Sequence, residues 1–256
     1  MNALGLTFSQ ARYVNKAFWR NPSRAGFTFA FPLILLVIFT SLLGGGIEKI
    51  GPLTIKESTY YVAAMAAYGL IMACFNNMAV SVVFQRDAGI LKRIDGSPLP
   101  KASFMGSRIL HSTLVGFLLV VITAAFGRGL YSVEIPTGMS LLHFLVMLVV
   151  GAASFCALGL AATALIPNAD AASAVILFTI LPLCFLSGIF IPFNNSTPSW
   201  LVWIARIFPV RHFAQGMMAG FLGTPFDWVD VLVVAAWGLA GLLLAIRFFR
   251  WEPSSK

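Results

Sequence analysis

The sequence predicts an all-α polytopic membrane protein with six transmembrane helices, and three observations carry that prediction. Of 256 residues, 59% are hydrophobic and 10% are charged, whereas a soluble domain carries about 25% charged residues. Six apolar segments reach the ~20 residues needed to cross a hydrocarbon core. The Lys and Arg residues fall beside those segments rather than in a surface stripe. The net charge of +8 therefore points to retention on one side of a bilayer and away from nucleic acid.

Residues 1–24 precede the spans. At about 100° per residue, Leu4, Phe8, Ala11, Val14 and Phe18 share one side, while Ser9, Arg12, Lys16 and Arg20 cluster opposite. Pro22 ends the pattern. A basic face against an aliphatic and aromatic one predicts an amphipathic helix lying in the headgroup region, with Asn15 misplaced on the apolar side. The apolar run that follows exceeds the ~7–15 residues of a signal-peptide core, so it is expected to be retained.

The spans are expected at 25–43, 59–84, 104–126, 139–166, 171–193 and 229–249. Pro167, Asn168, Ala169 and Asp170 form a tight turn between the fourth and fifth, with Asp170 expected to cap the fifth. With the N-terminus in the cytoplasm, 12 of the 17 basic residues lie inside; Lys49, Lys56, Arg128, Arg206 and Arg211 lie outside. Both termini are then cytoplasmic.

Between the second and third spans runs QRDAGILKRIDGSPLP, residues 85–100. Pro98 and Pro100 stop a helix that begins near Arg86 and is expected over 86–97. Ile90, Leu91 and Ile94 make an apolar stripe, surrounded by Arg86, Asp87, Lys92, Arg93 and Asp95. A loop that only sets topology needs neither the stripe nor the paired prolines. A short helix that docks into another protein accounts for both.

Residues 187–221 are too apolar for an extracellular loop, and Pro192, Pro198 and Pro209 interrupt them too often for a span. Two short helices meeting at Pro209 are expected to dip into the outer leaflet over about 194–221 and return. Such backbone must be shielded by protein or line a cavity. Trp200 and Trp203 suit the interfacial aromatic belt, and Gly216 and Gly220 form a small-residue face. The acceptor patterns at 194–197 match by chance.

Inside the second span, Asn76 and Asn77 lie about 15 Å from Arg86 at 1.5 Å per residue. Polar groups at that depth face a bundle interior or a wet cavity. They either bond between helices or line a substrate path.

Other chemistry is missing from the chain. Cys74, Cys156 and Cys184 all fall within apolar segments, where free cysteine packs as a small hydrophobe. There is no G-x-x-x-x-G-K-[ST] phosphate loop and no H-E-x-x-H. His111, His143 and His212 are scattered, and the nine acidic residues form no pair suited to acid–base work. The chain is thus expected to be no enzyme and to bind no metal, nucleotide or other cofactor itself. An intramembrane enzyme would need a convergent cluster, and a passive channel or scaffold gives no reason for a docking helix.

The order of these pieces resembles the permease subunit of type-2 ABC transporters. QRDAGILKRIDGSPLP is similar to that family's Arg-x-x-Gly…Lys-Arg…Ser-Pro-Leu coupling segment. SGIFIPFNNSTPSWLVWIARIFPVRHFAQGMMAGF, residues 187–221, is similar to its Ser-Gly…Pro…Pro-x-Trp-Leu…Pro signature before the last helix. The resemblance implies one ABC-2 domain over 1–256 in a bacterial plasma membrane. Arg86, Asp87, Gly89, Ile90, Leu91, Arg93, Ile94 and Pro98 would couple to a separate ATP-binding subunit that holds ATP and magnesium. Pro192, Pro198, Trp200, Trp203 and Pro209 would belong to an extracellular gate. Two permeases, identical or related, and two ATPases would work together. They would export an amphiphilic drug, antibiotic or lipid-like compound or, alternatively, a polysaccharide, teichoic acid or lipid-linked glycan.

Overall fold

In the computed structural model of the chain, six helices among the described residues are long and apolar enough to cross a membrane. The structure describes residues 3–50, 53–193, 197–249 and 251–252, with backbone alone at 47–50 and 53–55. The acceptor patterns at 194–197 therefore lie largely outside the described residues, as do Arg250 and Lys256.

Helix α1 (Ala3–Trp19) leads into α2 (Pro22–Leu43) through Asn21, whose side chain accepts from the Arg24 backbone N–H at 3.0 Å. Pro22 opens α2, where its missing N–H costs no helical bond. The first span accordingly starts three residues before the expected boundary. The apolar side of α1 divides in two. Ala11 and Phe18 are buried, while Leu4 and Phe8 stay exposed. Asn15 is accommodated because its side chain accepts from the Trp19 indole N–H at 3.1 Å.

One departure from helix is a hairpin of β1 (Ile47–Ile50) and β2 (Leu53–Lys56), paired antiparallel with Ile47 opposite Lys56. The Glu57 carboxylate closes its base by accepting from the Gly46 N–H at 3.0 Å. Four residues a side are too few to declare a strand by alternation alone.

The second span runs Glu57–Asp87 in three pieces: α3 (Glu57–Ile71), a π turn (Met72–Asn76) and α4 (Asn77–Asp87). From Tyr60 to Ile71 every residue of α3 is buried, as befits a helix that is apolar all round and stands at the centre of a bundle. Phe39 of α2 stacks on both Tyr61 and Phe190, at 5.6 and 5.5 Å. The π turn packs against the helix that carries Gly159, where a Cβ would stand 2.7 Å from the Phe75 carbonyl oxygen.

After α5 (Ile90–Asp95) come α6 (Lys101–Tyr131), α7 (Gly138–Ala162) and α8 (Ala169–Leu186). The fourth span ends four residues early and the fifth stops at Leu186 rather than 193, with Gly188 in the left-handed region at φ 79°. The cap of α8 is Asn168, accepting from the Ala171 N–H at 2.9 Å; Asp170 sits in the first turn instead. Asparagine and aspartate cap about equally well, so spacing alone could not choose between them.

Helices α9 (Ser199–Ile207) and α10 (Pro209–Leu222) form a hairpin whose vertex is Phe208, extended at φ −92° and ψ 146°. The proline that follows excludes the helical region for its predecessor. The last helix is α11 (Trp228–Phe248). Its Trp237 indole donates to the Ile207 carbonyl at 2.9 Å, nine residues, or about 14 Å, along α11 from Trp228. The hairpin thus enters from one end of the bundle and turns about midway. Gly216 and Gly220 lie against Met147 and Phe144 of α7.

The bundle has two distinct ends. The near end carries α1, α5, the start of α6 and the α7–α8 turn. The far end carries β1–β2 and the open side of α9–α10.

Candidate docking surface and polar recess

Helix α5 is shorter than the expected 86–97 segment because Arg86 and Asp87 belong to α4 and Gly89, at φ 69°, breaks the chain between them. A left-handed residue there is readily supplied only by glycine. The apolar stripe is split as well. Leu91 is wholly buried and Ile94 partly buried, whereas Ile90 is 41% exposed. Leu91 anchors α5 to the bundle, Lys92, Arg93 and Pro98 form its outer face, and the half-exposed Ile90 also borders a cavity beside Arg108 and His111. Ser97 steadies the exit, donating to the Ile94 carbonyl at 2.8 Å and accepting from the Leu99 N–H at 3.3 Å. Asp95 is ion-paired with Lys101.

Arg86 departs from the sequence expectation. It is 3% exposed and turned inward, so it adds nothing to the outer face. Its guanidinium donates to the Thr163, Ile166 and Pro167 carbonyls at 3.0, 2.8 and 3.1 Å, and to Asp87 at 3.2 Å. Thr163 caps α7, where the last carbonyls lack intrahelical partners and a cation meets the negative end of the helix dipole, while Ile166 and Pro167 lie in the turn that follows. Asp87 in turn accepts from the Ala169 N–H at 2.6 Å, at the start of α8. Two adjacent side chains thus tie α4 to both α7 and α8.

A second cluster lies deeper at the near end. Asn76 and Asn77 both line a cavity of about 680 Å³ bounded by α2, the π turn and α4. Arg24 donates to the Asn77 side-chain oxygen, and Arg108 to the Gln85 side-chain oxygen at 2.6 Å. A smaller cavity of about 330 Å³ adjoins it among α1, α2, α4 and α6, adding Arg108 and His111 to the wall. Arg24, Asn77, Ser81 and Gln85 line both. The sequence reading counted Arg24 and Arg108 only as topology charges. No local pattern could have found them, because their partners Asn77 and Gln85 lie 53 and 23 residues away.

At the far end, the α9–α10 hairpin borders a cavity of about 690 Å³ that includes Tyr60, Arg211, His212 and Asp230. His212 bridges Asp230 at 2.6 Å and the Arg206 carbonyl at 2.8 Å, and Tyr60 donates to the Gly188 carbonyl. Trp200, Trp203 and Pro198 are exposed, Pro192 is half-buried and Pro209 buried. At the opposite end of the molecule, Arg12, Lys16 and Arg20 are exposed on α1 and its exit.

These features define a polytopic helical membrane protein with an outward-facing helical knob and a polar recess. The ABC-2 type transporter family model matches residues 7–222, and the chain belongs to that family. It is 23% identical over 225 residues to ycf38 of Porphyra purpurea, named a transport permease, covering 86% of this chain and 75% of that one. To YvfS of Bacillus subtilis (strain 168), also named a transport permease, it is 20% identical over 88% of this chain and 89% of the relative. A third relative is ABC transporter G family member 2 of Dictyostelium discoideum, 24% identical over 153 residues, 59% of this chain and 11% of that protein. The chain is thus a transmembrane transport subunit rather than a catalytic domain, and the family implies an ATP-binding partner.

Proposed function

We propose that this chain is the permease subunit of an ATP-driven exporter that moves an amphiphilic substrate out of a bacterial cell. Its near end faces the cytoplasm, following the excess of Lys and Arg there, and both termini lie on that side of the plasma membrane. The observation that carries the reading is α5: a helix pinned by Leu91, with Arg93 facing outward and Ile90 half exposed at its edge. A handle anchored on one side and free on the other suits a cleft in a separate ATP-binding subunit. That subunit holds the nucleotide and magnesium, and two permeases with two ATPases form the working unit. Substrate passes by Asn76 and Asn77, and the α9–α10 hairpin, with Pro192, Pro198, Trp200, Trp203 and Pro209, gates the outer side. Arg12, Lys16 and Arg20 hold α1 against the inner headgroups.

Co-purification with a candidate ATP-binding subunit, followed by measurement of ATP hydrolysis in liposomes, tests this. Arg93→Glu and Ile90→Asp are expected to lower complex recovery at least tenfold while the permease remains folded. Full recovery of the complex with both variants would remove α5 as the docking element.

A further inference from the structure

Arg24 and Arg108 carry two positive charges on the wall of the near-end recess, yet no carboxylate lines either of its cavities among the described residues. Neither arginine takes part in an ion pair there. Their identified partners are neutral: the amide oxygens of Asn77 and Gln85, with Phe18 at 5.9 Å from Arg24 and Phe104 at 5.0 Å from Arg108. Buried charge is ordinarily paired. Unpartnered polar atoms line the same space. Asn77 Nδ2, His111 Nδ1 and Arg108 Nε have no hydrogen-bond partner, and Asn77 and His111 are only 9% and 7% exposed.

We infer that this recess binds the anionic phosphate headgroup of an amphiphile drawn from the near leaflet. This rests on the export reading above and names the substrate class. Two guanidiniums and two further nitrogen atoms, of Asn77 and His111, drawn together from α2, α4 and α6, suit a group offering three or more acceptor oxygens. The position fits as well. Arg108 lies seven residues, or about 10 Å, along α6 from Lys101, within the interfacial depth of a leaflet. The larger cavity continues past Phe27, Phe31, Met72 and Val80, an apolar channel for a hydrocarbon tail beside a cationic head site.

The test uses the purified full-length chain in detergent without an ATPase, titrated with dioleoyl phosphatidic acid and with dioleoyl phosphatidylcholine. Native mass spectrometry counts retained lipid. Phosphatidic acid is expected to bind at least tenfold more tightly than phosphatidylcholine. Arg108→Gln and His111→Phe are each expected to erase most of that preference. Arg247→Gln, which removes one near-end charge away from the recess, is expected to keep it, as is the charge-conserving Arg108→Lys in larger part. Melting curves select variants that fold, and Arg24→Gln serves if Arg108→Gln does not. Equal binding of the two lipids, or full preference in a folded Arg108→Gln or Arg24→Gln chain, overturns the proposal. Complete displacement of the lipid by millimolar inorganic phosphate also overturns it, because the site would then be one for free phosphate. Lipid selectivity with no effect on partner-coupled ATP hydrolysis would instead sink the export reading and leave the headgroup site standing.

Discussion

Replacing Arg86 with Gln separates two roles that the sequence merged in one segment. The guanidinium makes three bonds of 2.8–3.1 Å to carbonyls at the end of the fourth span, and one to Asp87. Hydrogen bonds to charged groups are worth about 1.5–3 kcal/mol each, but these share one side chain and do not add. Removing one member of a buried charged network costs about 3–5 kcal/mol, because the carbonyls lose their partner and Asp87 is left with the Ala169 N–H alone. At about 2–4 °C per kcal/mol for a chain of this size, the melting temperature of the purified permease falls by roughly 10 °C. Arg93 is exposed and makes no such contacts, so Arg93→Glu leaves melting within about 1 °C while weakening the partner complex. Thermal melts in detergent beside a pull-down of the ATP-binding subunit give both readouts. A wild-type melting temperature for Arg86→Gln, or a large drop for Arg93→Glu, refutes the division.

Other sites carry their own expected outcomes. Leu91→Ala removes a wholly buried side chain, a loss of about 2–5 kcal/mol, and is expected to expose α5 to limited proteolysis before the rest of the bundle. Gly89→Ala places a Cβ in the left-handed region at about 1–2 kcal/mol, so coupled ATP hydrolysis is expected to fall more than stability does. Gly159→Val drives side-chain atoms into the Phe75 carbonyl, and the expected result is aggregation on size-exclusion chromatography. His212→Leu strands Asp230 and the Arg206 carbonyl at about 3 kcal/mol. Hydrogen exchange in α9 and α10 is expected to accelerate roughly a hundredfold, with α3 unchanged.

Much of this architecture can be read from residues alone, for reasons specific to lipid. A span must satisfy its own backbone bonds, so long apolar runs announce helices, and six appear where six were expected. The kink before Pro209 follows from proline, whose backbone limits act locally, whereas the break at Gly89 falls inside the helix expected over 86–97. What stayed hidden depends on partners distant in sequence. Arg86 looks like Arg93 until the carbonyls of the α7–α8 turn, some 80 residues away, come to meet it. Leu91 and Ile90 share a stripe, and only packing decides which of them is the anchor. The recess was illegible because Arg24, Asn77, Gln85 and Arg108 lie on three elements, and a basic residue near a span end already has an ordinary explanation in topology.

The division of bonds around α4 bears on how a pull at α5 would travel. At its near end α4 is tied to α7 and α8 by Arg86 and Asp87, and at its other end the π turn lies flush against Gly159 of α7. Helix α4 is therefore joined to α7 at two levels and to α8 at one, and the three resist separation. Toward α2, by contrast, the polar link identified is Arg24 to Asn77, a single bond across a cavity, whereas α6 adds Arg108 to Gln85 and also packs on the π turn, with Gly116 against Ala73 and Cys74. Under the proposed coupling, load on α5 would move α4 with its bound neighbours, and the weaker side would yield first. Those two bonds are also the ones an incoming phosphate would compete for, since its oxygens seek the same guanidiniums. Occupancy of the recess and motion of the docking helix would then act on one seam, which gives a substrate in the leaflet a physical route to influence ATP hydrolysis in a partner it never touches.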